Sequence, residues 1–99
     1  MVGNNVKGGR YIMKEEQFLV EKYGTKILVY KSVPYIVCAL RERKLIYNIM
    51  EWYKRIGEDF NTTSDCVERN IRHFRSKIDE FRVNQEFLNS LILEFRKGE

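Results

Sequence analysis

Residues 56–75 read IGEDFNTTSDCVERNIRHFR, and the spacing of the apolar residues through and around this stretch decides the fold. Upstream of the NTT triplet, Leu45, Ile49, Tyr53, Ile56 and Phe60 recur at steps of four, four, three and four, the stripe of an amphipathic helix. Downstream, Val67, Ile71, Phe74, Ile78 and Phe81 form a second stripe at alternating steps of four and three. The triplet interrupts the pattern because Asn tolerates a left-handed backbone and Thr prefers a cap to a helix interior. Two helices joined by so short a turn make a helix-turn-helix. Gly57 is its small residue: without a Cβ it lets the second helix cross close to the first, which offsets the roughly 1 kcal/mol that Gly costs inside a helix.

Working outward, Pro34 suits the first turn of a helix, and the run from Tyr35 to Phe60 is long enough to predict two helices. On the other side, Asn84 is placed to cap a closing helix with apolar positions Phe87, Leu88, Leu91, Ile92 and Phe95, and Val83 to staple onto Leu88. In QFLVEKYGTKILVYK, residues 17–31, two β-prone runs flank Gly24-Thr25 and predict a β-hairpin. A short helix from Glu15 to Tyr23, ended by Gly24, is the competing reading, and the hairpin is preferred. Residues 1–13, rich in Gly and Asn, read as a flexible tail. The expected fold is mainly α: one helix-turn-helix domain over 14–99, with the helix-turn-helix at 45–82, a closing helix at 84–97 and a short N-terminal hairpin. Its expected core is Leu45, Ile49, Ile56, Phe60, Val67, Ile71, Phe74, Leu88 and Ile92.

With 99 residues, 43% hydrophobic and 32% charged, the chain suits one folded domain and is too apolar for a disordered one. A formal charge of +4 and a pI near 9.1 favour an anionic partner only mildly. No apolar run approaches the roughly 20 residues that span a bilayer, and MVGNNVKGGR lacks the apolar core of a signal peptide, so a cytoplasmic protein is expected, without a membrane partner. Cys38 and Cys66 form no C-x-x-C and His73 is the single histidine, which argues for reduced structural thiols and against a metal or cofactor. His73 has no Ser or Cys at a familiar spacing and no Gly-rich phosphate loop is present, so neither an enzyme nor a small-molecule substrate is expected.

With Val67 and Ile71 turned inward, the outward face of the second helix carries Ser64, Asp65, Glu68, Arg69, Arg72, His73, Arg75 and Ser76. Arg pairs bidentately with guanine, Glu accepts from cytosine N4, and Arg or His contacts phosphate, the mixture that a major-groove helix needs. The plainer alternative is a solvated face with internal pairs such as Glu68 to Arg72. A rival function is a protein-interaction module, an antagonist or assembly factor, anchored by Trp52, Tyr47 and Tyr53, although Tyr53 also belongs to the core stripe; exposure of Trp52 and Tyr47 together on one patch would favour it.

The segment YKRIGEDFNTTSDCVERNIRH, Tyr53 to His73, resembles without gaps the effector-domain signature Y-x-x-I-A-x-x-F-N-T-T-x-x-x-V-E-R-x-I-R-H of the stage zero sporulation protein A family of endospore-forming bacteria. NQEFLNSLILEFRKG is similar to that domain's N-S-E-F-I closing helix, and the resemblance extends over residues 34–97. It implies an all-helical module that binds double-stranded DNA for transcriptional regulation, as paired copies and hence as a possible homodimer. It further implies Glu68 and Arg69 near base edges and Arg72 and His73 nearer phosphates. Thr62 and Thr63 would cap the recognition helix, with a Thr hydroxyl meeting phosphate. Cys66 stands where the family carries Arg, and the segment before the closing helix is shorter here. The expected regulator acts without a receiver domain of its own, so control by phosphorylation is not implied.

Overall fold

The computed structural model describes residues 13–78 and 83–98, together with the backbone of 6–7 and 10–11. Strands β1 (Val6–Lys7) and β2 (Arg10–Tyr11) pair antiparallel, Val6 opposite Tyr11 and Lys7 opposite Arg10. Most of the tail expected at 1–13, and Phe81 of the second stripe, fall outside the described residues.

The expected hairpin at 17–31 is not there. Residues Lys14–Tyr23 form helix α1, and Thr25–Val29 a 3-10 helix. Glu15 and Glu16 lie in the first turn of α1 and Lys22 in its last, where they complement the helix dipole. Gln17 donates to Glu21 one turn on, at 3.0 Å. Leu19 is fully buried, and Phe18 meets Phe95 edge-on at 5.3 Å. Gly24, at φ 97, donates its N–H to the Val20 carbonyl, so it ends a helix instead of turning a hairpin.

Helix α2 (Val33–Glu42) carries Pro34 in its first turn, and buries Val33, Tyr35, Ile36, Val37, Ala39 and Leu40. Apolar on most of its circumference, it runs through the middle of the bundle. It stops at Arg43, whose φ of 64 is left-handed. Helix α3 (Ile49–Asp59) starts later than the stripe suggests. Asn48 accepts from the Glu51 N–H, a side-chain cap that fixes the start and leaves half-buried Leu45 in the connection. That connection is held by Asn89, whose amide donates to the Ile46 carbonyl at 2.9 Å and accepts from its N–H at 2.7 Å.

Helices α4 (Ser64–Ile78) and α5 (Asn84–Lys97) complete a mainly α bundle. Ile56, Val67, Ile71, Phe74, Leu88 and Ile92 are buried as expected. Ile49 is only half-buried, and Phe60 is 40% exposed. Phe60 follows the last turn of α3, where the helical register that would bury it has ended, and it rests edge-on against Tyr35 at 5.2 Å. Phe74 is the aromatic centre, with Tyr30, Tyr23 and Phe87 around it at 5.1, 5.8 and 6.1 Å. Among the described residues no helix is long and apolar enough to cross a membrane.

Candidate nucleic-acid interface

The turn between α3 and α4 is built on Gly57. Asn61 adopts φ 57, and Thr62 donates its N–H to the Gly57 carbonyl at 2.7 Å. A Cβ on Gly57 would lie 3.0 Å from the Thr62 oxygen, 3.1 Å from the Thr63 carbonyl carbon and 3.2 Å from the Ser64 nitrogen. All three are backbone atoms, so any side chain at 57 would push the start of α4 back by a few tenths of an ångström, and glycine lets it sit this close without that shift. Thr63 then caps α4: its hydroxyl accepts from the Cys66 N–H at 3.1 Å and its carbonyl from the Val67 N–H at 3.1 Å.

Thr62 does not share the cap. Its hydroxyl bonds the Cys66 thiol, and this, more than the neighbouring Arg69 and Asn70, holds the thiol pKa below its usual value against the opposing effect of burial. Cys66 also accepts from the Asn70 amide at 3.5 Å. Both cysteines are unpaired.

Of the nine residues expected in the site, Thr63, Asp65, Arg69, Arg72 and His73 are exposed, while Thr62, Ser64, Glu68 and Arg75 are half-buried. Asp65, Arg69, Arg72 and exposed Ser76 lie on the side of α4 opposite buried Val67, Ile71 and Phe74. His73 lies to one flank, its ring 5.8 Å from that of Tyr30, so the segment after the 3-10 helix supports it. Glu68 and Arg75 lie on the other flank, beside the start of α5.

The internal pair weighed above as the plainer reading of this face is formed. Arg72 donates to both carboxylate oxygens of Glu68, at 2.9 and 3.3 Å, which raises the Arg72 pKa and fixes the plane of its guanidinium. Glu68 therefore meets any ligand with its carboxylate already engaged. Arg69 is exposed, one turn into the helix, on the side of α4 opposite the core.

Asn84 is the residue that spacing misassigned. The N-cap of α5 is Val83, without a side-chain cap bond, and Asn84 is the first helical residue, only 6% exposed. Its amide nitrogen donates to the Tyr53 hydroxyl on α3 at 2.9 Å and to the Glu68 carbonyl on α4 at 3.2 Å, and its oxygen accepts from Arg75 Nε at 2.8 Å. Bonding both neighbouring helices satisfies the buried amide better than a cap bond to its own. Its partners lie far off in sequence, so periodicity carries no sign of them.

Trp52 and Tyr47 do not form a joint exposed patch. Trp52 is 3% exposed, packed beside Tyr53, while Tyr47 is 82% exposed in the connection before α3. The aromatic pair that would anchor a protein partner is thus divided between core and surface.

The family model described as sporulation initiation factor Spo0A C terminal matches residues 30–96, and that family is a DNA-binding domain. No curated protein and no solved structure matches the chain.

Proposed function

The chain belongs to the family of the sporulation initiation factor Spo0A C-terminal domain, a DNA-binding family, and from that premise we propose that it is a transcriptional regulator that reads double-stranded DNA with α4. The observation that carries the reading is the exposed face of α4. Arg69 and Arg72 stand together there, with exposed His73 on the flank, on a helix whose start is fixed by the Thr63 cap and by the close crossing at Gly57. Rigid presentation of this kind is what a major groove about 12 Å wide requires of an inserted helix.

Within this proposal Arg69 reads a base edge. Glu68 acts chiefly by holding Arg72 toward a phosphate, and His73 and the Thr63 hydroxyl take further backbone contacts. Ser64 and Asp65, in the first turn, lie where side chains approach bases, and Thr62 supports the turn. Binding as paired copies is part of the same proposal.

The test is a titration of the chain with random duplex DNA over a salt series. Contacts to about four phosphates predict a log–log slope near −3.6. A flat slope, or no retardation of any duplex at low salt, would sink the proposal in favour of a protein-interaction module.

A further inference from the structure

We propose that Asn84 is a positioning residue for the DNA interface: from the first turn of α5 it holds the Arg75 guanidinium on the flank of α4 in the orientation that grips a phosphate. The inference rests on the reading of α4 as the DNA-binding helix and adds to it a residue outside that helix.

A helix lying in the major groove turns its outward face to the bases and its two flanks to the sugar-phosphate walls. Arg75 occupies one flank, in the last turn of α4, where the helix leaves the groove. It is half-buried and donates Nε to Asn84 at 2.8 Å. An arginine held at Nε has its planar fork oriented in advance, so less side-chain freedom is lost when the Nη groups meet a phosphate.

Asn84 can supply this orientation because it is itself fixed. It is 6% exposed, and its amide nitrogen is tied to the Tyr53 hydroxyl and to the Glu68 carbonyl. The amide is therefore committed with its oxygen toward Arg75, and turning it over would place an NH2 group against a guanidinium. One side chain thus joins α3, α4 and α5 at the flank of the proposed DNA face. Glu68, whose carbonyl it holds, is also the residue that clamps Arg72.

The experiment is the random-duplex titration over a salt series, on the full chain, with Asn84→Ala, Arg75→Ala, the double variant and Tyr53→Phe. Asn84→Ala and Arg75→Ala should each weaken binding about ten-fold and lower the salt slope by about 0.9. The double variant should be no worse than either single one, since both remove the same contact. Tyr53→Phe removes one of the two bonds that fix the Asn84 amide and leaves the Asn84–Arg75 bond in place, so it should lose thermal stability and a smaller part of the slope than Asn84→Ala does.

A purely structural Asn84 would make Asn84→Ala lose thermal stability while its affinity and salt slope stay as in the wild-type chain, and that result overturns the inference. Should Asn84→Ala not fold, the Arg75 Nε–H resonance of the wild-type chain gives the answer, its assignment confirmed by its loss in Arg75→Lys. It should shift on addition of duplex while remaining protected from exchange, and an unmoved resonance at saturation overturns the inference. A wild-type chain that binds no duplex at low salt removes the DNA reading and this inference together. Wild-type binding with an unaltered slope in Asn84→Ala removes this inference alone.

Discussion

At the scale of single residues, the turn depends on an atom that is missing. The backbone of Thr62, Thr63 and Ser64 comes within 3.0 to 3.2 Å of where a Gly57 Cβ would stand, and backbone cannot rotate aside as a long side chain would. Gly57→Leu should therefore destabilise the domain by about 1 to 3 kcal/mol, a fall in melting midpoint of at least roughly 4 °C. Gly57→Ala should cost less, because the gain in helix propensity of about 1 kcal/mol offsets part of the crowding. An unchanged midpoint for the Leu variant would refute the close approach. On α4 the two neighbouring arginines should separate. Arg69→Ala is expected to cost about 1 to 3 kcal/mol on a preferred site and little on random DNA. Arg72→Ala, loosened from its Glu68 clamp, should weaken both kinds of site alike and reduce the salt slope by about one unit. Equal losses for both variants on both duplexes would mean that Arg69 reads no base.

At the scale of elements, the starts of α3 and α4 have local causes. The start of α4 rests on the Thr63 hydroxyl, so Thr63→Ala should lower stability by about 1 kcal/mol while Thr62→Ala, at a position without the cap bond, lowers it less. Thermal melts of the two variants side by side decide it, and a larger loss for Thr62 would reverse the assignment. The start of α3 was equally legible in the residues, since Asn48 and Glu51 stand at capping-box spacing. The apolar stripe drew attention one turn too early, to Leu45. In α1 the β-prone pieces of QFLVEKYGTKILVYK outweighed the acidic first turn and the terminal Gly24. Propensity over so short a window is a weak guide where one buried Leu and one aromatic contact decide the outcome.

At the scale of the whole molecule, polar bonds between distant segments lock the helices together. Asn89 joins α5 to the connection before α3, Lys22 of α1 pairs with Glu94 of α5 at 2.9 Å, and Arg55 of α3 pairs with Glu42 of α2. The Tyr53 hydroxyl, at the junction with Asn84, gives this scale its pH dependence. Burial raises its pKa above the ordinary 10.0, against the lowering effect of the Asn84 bond and of Arg75 and Arg72. A group whose pKa is higher in the folded state contributes its full stability below the unfolded value and loses it as pH rises past that value. The melting midpoint should thus fall above pH of about 10, and Tyr53→Phe should make that fall shallower. Parallel alkaline profiles for the two proteins would show that the phenol does not titrate with unfolding.

What the sequence determined by itself is what local periodicity can encode. Two stripes, a turn-forming triplet and a glycine at the crossing specify the helix-turn-helix, because every residue involved lies within a turn or two of its partners. The exposed face of α4 follows from the same period: once Val67 and Ile71 are inside, Asp65, Arg69 and Arg72 must be outside. Tertiary structure alone decided the rest. It made residues 14–23 helical by burying Leu19 and setting Phe18 against Phe95, placed Tyr30 beside His73, drew Trp52 inward, and turned Asn84 from a cap into the link among three helices. These outcomes rest on contacts between residues remote in sequence, whose free energy arises only when packing removes both partners from water, so no pattern along a single segment could announce them.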